Sequence, residues 1–328
     1  MRVFPSVSHT LCEVNSMNSF IKASEIWAPD MHSPTLRLVR GDYGDLDMFQ
    51  SLSKETVFHY GEGLPGKAWS EARPILLSKL DDSCFKRVNE AKVSGISCAI
   101  AYPIFAGHYL LAVLVFLCSD SEEVEGAVEL WHCDREESYD LKLQDGYFGR
   151  LNHFEFLSRH TSFRRGVGLP GAVWESGMPK LLSDLGASHR FVRSRGAQKA
   201  GITTGLGIPF FFNPKHTYVM TFLSALGTPI AKQIELWTPT YDYSGLLFAR
   251  GSAPSNYDLT SQYNGVKLNI GDGIIGHTLL TGLPNICTDV DRIQTEQNVS
   301  AKEFGYEKLV TFPILENGWC KCVIALYN

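Results

Sequence analysis

The hexapeptide GEGLPG, residues 61–66, occurs again as GVGLPG at 166–171 and as GDGIIG at 271–276. The first glycines of the three copies stand at positions 61, 166 and 271, so the same interval of 105 residues occurs twice. A fixed interval of this kind indicates one structural unit that is repeated along the chain. The 328 residues therefore predict three units, each within the usual size of a domain. We place them at 1–122, 123–228 and 229–328, the third being degenerate.

Other features recur at intervals of 104 to 106 residues and predict the elements of each unit. The unit opens with an alternating strand that ends in tryptophan, and a second strand then completes a hairpin. An amphipathic helix comes next, except that its pattern is weak in the third unit. A short helix follows the hexapeptide and stops before a proline, because the residue preceding a proline is pushed out of helical geometry. Two apolar strands close the unit. The matching positions are Trp27, Trp131 and Trp237 in the first strand, and Pro74, Pro179 and Pro284 after the short helix.

The hexapeptide also fits the dinucleotide-binding pattern G-x-G-x-x-G, but its context argues against that function. The pattern needs a buried parallel strand before it and a long crossover helix after it. Residues 54–60 are too polar for such a strand, and Pro74 leaves room for only a short helix. The acidic residue expected further along is present as Asp81 but is replaced by Gly186 in the second unit. We interpret the hexapeptide as a tight turn whose glycines adopt positive φ.

The order of these motifs resembles that of a GAF domain. Along each unit the order is strand, strand, helix, G-x-G-L-P-G, W-x-x-x-x-P, F-x-R, and then a proline-containing strand and a final apolar strand. The match is specific in the first two units and degraded in the third. The third unit lacks the Trp of W-x-x-x-x-P, the Pro of the hexapeptide and a clear F-x-R. The resemblance implies an α+β fold, with three antiparallel sheets that each carry short helices over one face. It also implies ligand sensing, dimerisation or regulation, and seldom catalysis.

The resemblance places candidate ligand-binding residues in the first two units. They are Trp69, Phe85 and Arg87 in the first unit, and Trp174, Phe191 and Arg193 in the second. A tryptophan offers a flat apolar wall, and an arginine offers a planar donor for carboxylate or phosphate. The alternative is a purely structural role, in which the tryptophans pack under the helices and the arginines pair with Asp81 or Asp184. The signatures of cyclic-nucleotide and bilin-binding members of the family are absent, and we expect no cofactor, no metal and no catalytic residue.

Composition limits the partners that the protein is expected to have. The net charge is −5 and the densest basic cluster, 190–195, is short, so we expect no nucleic-acid partner. The amino terminus does not have the form of a signal peptide, and the apolar run 99–118 is interrupted by Pro103, so we expect a cytoplasmic protein without a membrane partner. The eight cysteines do not keep register between units, which favours free thiols. Cys320 and Cys322 are expected to share one face of a strand.

The segments between units are too short for the terminal helices that usually cover the back of a GAF sheet. Only 119–126 and 224–232 separate one unit from the next. Since 109–118 is apolar at every position, both faces of that strand must be covered. The sequence thus predicts that the three units pack into one body, with approximate threefold symmetry, or that the protein forms a homo-oligomer.

Three functions remain open at this stage. The first is a non-enzymatic sensory or regulatory protein that binds a small molecule or a protein partner and signals in trans. The second is a structural or assembly module whose pockets are filled with side chains and which works through protein–protein interfaces. The third, an enzyme that uses Cys84 or a histidine, lacks a nucleophile and base that can be paired from the sequence.

Overall fold

The described part of the protein contains three six-stranded antiparallel sheets, each with short helices over one face. The computed structural model describes residues 19–81, 83–119, 124–188, 191–253, 257–289 and 306–328. The α+β fold class is therefore confirmed. The predicted absence of a signal peptide and the F-x-R position of the third unit lie outside the described residues.

The first sheet shows the topology that the other two repeat. Its strand order is β3-β2-β1-β6-β5-β4, so the first and last strands are neighbours at its centre. The elements are β1 (Ile21–Pro29), β2 (Thr35–Asp42), α1 (Asp47–Glu55), β3 (Val57–His59), α2 (Gly63–Glu71), β4 (Ile75–Leu77), α3 (Val88–Val93), β5 (Ile96–Ala106) and β6 (Tyr109–Ser119).

The second and third sheets have the equivalent orders β9-β8-β7-β12-β11-β10 and β15-β14-β13-β18-β17-β16. The second unit contains β7 (Glu125–Asp134), β8 (Asp140–Tyr147), α4 (Asn152–Arg159), β9 (Ser162–Arg164), α5 (Gly168–Ser176), β10 (Lys180–Leu182), α6 (Ser194–Lys199), β11 (Ile202–Phe210) and β12 (His216–Ala225). The third contains β13 (Gln233–Pro239), β14 (Gly245–Ser252), α7 (Leu259–Gln262), β15 (Lys267–Asn269), α8 (Gly273–Thr281), β16 (Asn285–Cys287), β17 (Leu309–Glu316) and β18 (Trp319–Tyr327).

The hexapeptide forms the tight turn that was predicted. Gly61 has a φ of 80°, and its N–H donates to the carbonyl of Gly66 at 2.9 Å, which closes the loop. A Cβ on Gly66 would lie 2.1 Å from the carbonyl oxygen of His59, so only glycine fits there. The strand before the turn is the three-residue β3, which pairs antiparallel with β2. This is not the parallel strand and crossover helix of a dinucleotide site.

The backs of the three sheets cover one another in a central core. We use this name for the buried cluster in which side chains of all three units meet, including Tyr102, Phe116, Phe210, Phe222 and Phe312. The ring centroid of Phe116 lies 5.8 Å from that of Phe222 and 5.9 Å from that of Phe312. Tyr102 donates its hydroxyl proton to the carbonyl of Pro209 at 2.7 Å, which links two units inside the core. Packing into one body is thus confirmed, and a second chain is not needed to cover these faces.

Contacts between strands of different sheets join the three units into a closed ring. Strand β4 lies against β8, β10 against β14, and β16 against β2, so each unit uses its fourth strand to meet the second strand of the next. At the first joint Ser78 donates to Asp145 at 3.2 Å, and at the last joint Arg40 donates to the carbonyl of Ile286 at 2.9 Å. The joint between the second and third units instead contains a cavity of about 780 Å³, lined in part by Leu181 and Arg250.

The two cysteines near the carboxyl end do not share one face of β18, contrary to the sequence prediction. Cys320 packs in the core of the third unit, whereas Cys322 packs in the central core. The cause is a β-bulge: Ile314 pairs with Cys322 and the next residue, Leu315, pairs with Cys320, so Lys321 is left over and the alternation is broken. Throughout the described ranges, the helices are too short or too polar to span a membrane.

The joints of the ring give a matched pair of variants. Arg40 and Arg250 occupy equivalent positions, opposite Ile26 and Leu236 in their hairpins. Arg40→Ala removes the hydrogen bond to Ile286 and is expected to lower the free energy of unfolding by roughly 1 kcal/mol. Arg250→Ala serves as the control and is expected to change it by less than about 0.5 kcal/mol. Urea denaturation measures both, and equal effects of the two variants would contradict the difference between the joints.

Candidate functional site

A buried glutamate lies at the centre of each unit, two residues before the tryptophan of the first strand. Alternation along the strand places both side chains on the face that is covered by the helices. The indole Nε1–H of Trp27 donates to Glu25 at 2.9 Å, that of Trp131 to Glu129 at 3.1 Å, and that of Trp237 to Glu235 at 2.8 Å. All three glutamates are 0% exposed. A carboxylate in such a position requires further partners.

In the first two units that partner is the arginine of the F-x-R motif. Arg87 immediately precedes α3 and donates to both carboxylate oxygens of Glu25, with a distance of 2.8 Å from Nη2 to Oε2. Arg193 makes the same bidentate contact with Glu129, at 2.9 Å. Each guanidinium also donates to a helix serine, Ser53 in the first unit and Ser158 in the second. The arginines are 3% and 5% exposed, so each forms a buried, doubly hydrogen-bonded ion pair.

Aromatic rings enclose both guanidinium groups. The Cζ atom of Arg87 lies 4.6 Å from the ring centroid of Phe49 and 5.4 Å from that of Phe85, and the rings of Trp27 and Phe58 lie within 5.8 Å. Four rings surround Arg193 at corresponding distances. They belong to Trp131, Phe154, Phe163 and Phe191. The space between sheet and helices is thus occupied by the ion pair and its aromatic enclosure.

The ion pairs keep the first two glutamates ionised. Burial by itself raises the pKa of Glu25, but the charge of Arg87 and the hydrogen bonds from Arg87, Trp27 and Tyr43 outweigh it, so the pKa lies below its ordinary value. The pKa of Glu129 is lowered in the same way by Arg193 against the effect of burial. The charged form is therefore the one that the fold stabilises in these two units.

The third unit holds its glutamate by a different set of contacts. Glu235 accepts hydrogen bonds from Gln233 at 2.6 Å, Tyr263 at 2.9 Å and Tyr327 at 3.3 Å, in addition to Trp237. No arginine or lysine of the described residues pairs with it. Burial raises the pKa of Glu235, and these hydrogen bonds only partly oppose that effect. The fold of the third unit therefore favours the protonated acid.

The structure divides the sequence-predicted site residues into two groups. Phe85 and Arg87 lie together in the interior of the first unit, and Phe191 and Arg193 do so in the second. Trp69 and Trp174 lie elsewhere, half-buried on α2 and α5. Trp69 packs edge-on against Tyr60, with their ring centroids 5.1 Å apart. The alternative prediction that Arg87 pairs with Asp81 is wrong, because Asp81 pairs with Lys92 on the surface.

Trp174 lines a groove, which we call the Trp174 groove. It has a volume of about 600 Å³ and lies between the end of α5, the β11–β12 loop and the β-hairpins of the other two units. Arg135 and Arg165 line it with Trp174, as do Phe211, His216 and Tyr218. Unlike the unit interiors, this space is open and carries exposed cationic side chains.

Comparisons with known proteins give a likeness of fold. No protein-family model matches the chain, and no curated protein matches it. Six antiparallel strands in the order described, with short helices over one face, recur three times. The fold of each unit is GAF-like. Similar solved structures include the nlh2 GAF domain of A. aeolicus in an inactive state, with 24% identity and a TM-score of 0.25 over 31% of this chain and 60% of that one.

Two further structures show likeness of the same extent. A free methionine-R-sulfoxide reductase from Neisseria meningitidis, in complex with its substrate, is 17% identical, with a TM-score of 0.24 over 30% of this chain and 52% of that one. A NreA protein from Staphylococcus aureus, mutated in its nitrate binding site, is 13% identical, with a TM-score of 0.26 over 31% of this chain and 76% of that one. The chain spans about half to three fifths of the length of the first two structures.

Sequence reasoning missed the glutamates, although a signal for them was present. The tripeptide Glu-(Ile/Leu)-Trp lies in the first strand of all three units, at 25–27, 129–131 and 235–237, and the strand continues past the tryptophan instead of ending there as predicted. In an alternating strand the first and third residues share a face. A charged residue beside a core tryptophan must therefore be buried, and the arginine of F-x-R was the available counter-ion. Arg135 and Arg165 had no comparable signal, because loop positions bring them to the groove.

Removing one member of a buried ion pair tests its structural role. Arg193→Met leaves Glu129 buried without its counter-ion and is expected to lower the free energy of unfolding by about 3–5 kcal/mol. Adding Glu129→Gln to that variant removes the isolated charge and is expected to restore most of the loss. Denaturant titrations of the two single variants and the double variant complete the cycle. Additive losses would show that the two residues are not coupled.

The opposite pKa shifts predict opposite dependences of stability on pH. Between 4.5 and the raised pKa of Glu235, the unfolded chain has released a proton that the folded chain retains, so stability falls as pH rises. Glu235→Gln mimics the protonated acid and is expected to remove this fall in stability. The fall amounts to about 1.4 kcal/mol of unfolding free energy for each unit by which the pKa is raised.

Glu25→Gln is the matched control. The pKa of Glu25 is lowered, so its contribution is present above the ordinary value and is lost as pH falls below it. This variant is expected to be destabilised at neutral pH, where Glu235→Gln is not. Thermal unfolding from pH 4 to pH 8 measures both. A Glu235→Gln variant that follows the wild-type pH profile would refute the raised pKa of Glu235.

Proposed function

We propose that the protein is a non-enzymatic regulatory binding protein of three GAF-like units, 1–122, 123–228 and 229–328, whose ligand or partner binds at the outer surface. The interiors of the first two units are structural in this proposal, so that Phe85, Arg87, Phe191 and Arg193 hold the fold together. The observation that carries the proposal is the bidentate ion pair inside four aromatic rings, which fills the space between sheet and helices.

The chemistry of the cysteines supports a function without catalysis. Burial raises the pKa of the Cys84 thiol, and the same is true of Cys133 and Cys287. A nucleophilic cysteine needs the opposite shift, because the thiolate is the reactive form. Among the described residues, no group of three histidine, cysteine, aspartate or glutamate side chains has the arrangement of a metal site. We therefore assign no catalytic residue.

The filled interiors also support a second candidate, a structural or assembly module that works through protein–protein interfaces. The Trp174 groove favours the first candidate, because it is an open space lined by arginines and aromatic side chains. Both candidates place the binding event on the outside of the protein, and in the first the protein signals in trans through a separate partner.

The six tryptophans allow a direct test, since each indole N–H gives its own NMR signal. Trp27, Trp131 and Trp237 report on the three interiors, where each donates to its glutamate. Trp69, Trp174 and Trp319 report on the outside. Protein labelled with ¹⁵N at tryptophan is titrated with a mixture of small metabolites, and its native mass is compared with its denatured mass. We expect the three interior signals to stay fixed and the native preparation to carry no additional mass. An additional mass whose removal shifts an interior signal would overturn the proposal.

A further inference from the structure

The Trp174 groove exists because the second unit closes its last hairpin differently from the other two. In the first and third units the ladder continues to a tight turn, ending in the pairs Ala106–Tyr109 and Glu316–Trp319. In the second unit the β11–β12 ladder stops at the pair Phe210–Tyr218. Pro214, in the loop beyond, has no N–H with which to extend a ladder. The loop therefore separates from β11 and leaves an open space.

The released loop pairs instead with the turn between β7 and β8, and this contact positions Arg135. The N–H of Arg135 donates to the carbonyl of Lys215 at 2.8 Å, and its guanidinium Nη1 donates to the carbonyl of Pro214 at 3.1 Å. The turn that carries Arg135 is one residue longer than its counterparts, counted from the strand tryptophan to the first leucine of the next strand. The groove and its first arginine thus have a common origin.

A second arginine approaches the groove from the turn before α5. Arg165 Nη2 donates to the carbonyl of Glu175 at 3.4 Å, a long contact that leaves most of its donors free. In the part of the chain that the structure describes, neither Arg135 nor Arg165 lies within ion-pair distance of a carboxylate. The Glu175 carboxyl is directed over Gly166, where a Cβ would lie 2.9 Å from Oε1. Lys321 and Glu316 on the opposite wall pair with each other at 3.2 Å.

Trp174 lies between this groove and a smaller adjoining cavity of about 370 Å³. Arg135, Arg165 and Trp174 line both spaces, and Tyr139 and Arg164 line the smaller one. Arg164 is 3.6 Å from Asp140, so its charge is already partly compensated. Two uncompensated guanidinium groups beside an indole ring form a site for a planar molecule that carries an acid group.

The other two units do not have this combination. At the position of Arg165 the first unit has Tyr60, whose hydroxyl donates to the carbonyl of Ser70 and whose ring packs on Trp69. The third unit has Ile270 and Leu279 at the positions of Arg165 and Trp174. The cationic aromatic site is therefore a feature of the second unit alone within the described residues, and it is not what the repeated fold requires.

We propose that the Trp174 groove binds a planar organic anion, with its ring against Trp174 and its carboxylate or phosphate held by Arg135 and Arg165. The inference rests on the proposed function, in that the outer surface is taken as the binding surface. Because a carboxylate and a phosphate share the same recognition by arginine, the ligand class includes aromatic acids and nucleoside monophosphates. Recognition needs both the ring and the acid group.

Binding is tested on the full chain by isothermal titration with two probes, 4-hydroxybenzoate and AMP. Their matched controls are 4-hydroxybenzamide and adenosine, which keep the ring without the acid group, and inorganic phosphate, which keeps the acid group without the ring. We expect saturable binding of at least one probe and about tenfold weaker binding of its controls. The probe that binds distinguishes a carboxylate ligand from a phosphate ligand.

Three variants assign the binding to these residues. Arg135→Gln and Arg165→Gln are each expected to weaken binding of the acidic probe about tenfold, whereas Arg250→Gln removes an equivalent exposed charge elsewhere and is expected to have no effect. Trp174→Leu reproduces the residue of the third unit, so it is compatible with the fold, and it is expected to abolish the preference for a ring over inorganic phosphate. Circular dichroism and the melting temperature confirm that each variant is folded.

The NMR signals of the indole N–H groups separate failure of this inference from failure of the proposed function. Binding in the groove is expected to shift the Trp174 signal and to leave those of Trp27, Trp131 and Trp237 in place. Absence of saturable binding by either probe, or binding that survives Arg135→Gln and Arg165→Gln combined, would overturn the groove assignment. Movement of an interior signal would instead count against the structural role of the unit interiors.

Discussion

Burial of three apolar sheet faces against one another is the constraint on which this structure depends. Among the described residues, each sheet has helices over only one face, and no helix or strand lies between the units to cover the other. An exposed face of that size would be unstable in water, so the sheets must meet around a common centre. The central core and the closed ring of contacts between units follow from that requirement. The units are therefore parts of one body, even though each has its own helix-covered core.

On its helix-covered face, each sheet has to accommodate a carboxylate beside a core tryptophan. The first two units neutralise it with an arginine and enclose the ion pair in aromatic rings, whereas the third relies on tyrosine hydroxyls and an amide. A buried ion pair need not increase stability relative to an apolar core, but removing one partner is costly. Once the glutamate is present, replacing the arginine by another residue is therefore strongly destabilising. This dependence is sufficient to account for the recurrence of F-x-R in the two units, as the proposed structural role requires.

Much of the fold could be predicted from the sequence because repetition makes local signals reliable. The hexapeptide turn, the first strand with its tryptophan and the helix that stops before proline occur in all three units, although the first strand continues past the tryptophan to Pro29, Asp134 and Pro239. The roles of individual side chains were less accessible. Arg87 and Arg193 were recognised as important, but their partners Glu25 and Glu129 lie more than sixty residues earlier in the chain, and nearby aspartates were considered instead. A β-bulge reversed the expected orientation at Cys320, since a single extra residue changes the face and leaves little trace in the composition.

The features that distinguish the three units are better guides to function than the features that they share. Shared residues such as the turn glycines and the glutamates are explained by folding, because the same backbone requires them three times. The open joint beside Arg250 and the groove beside Trp174 occur where the approximate threefold symmetry fails. The groove needs a longer turn in β7–β8, an early end to the β11–β12 ladder and two arginines without a carboxylate partner among the described residues. Two arginines that the repeated fold does not require, held beside Trp174 without a carboxylate partner among the described residues, are the physical reason for assigning binding to this groove.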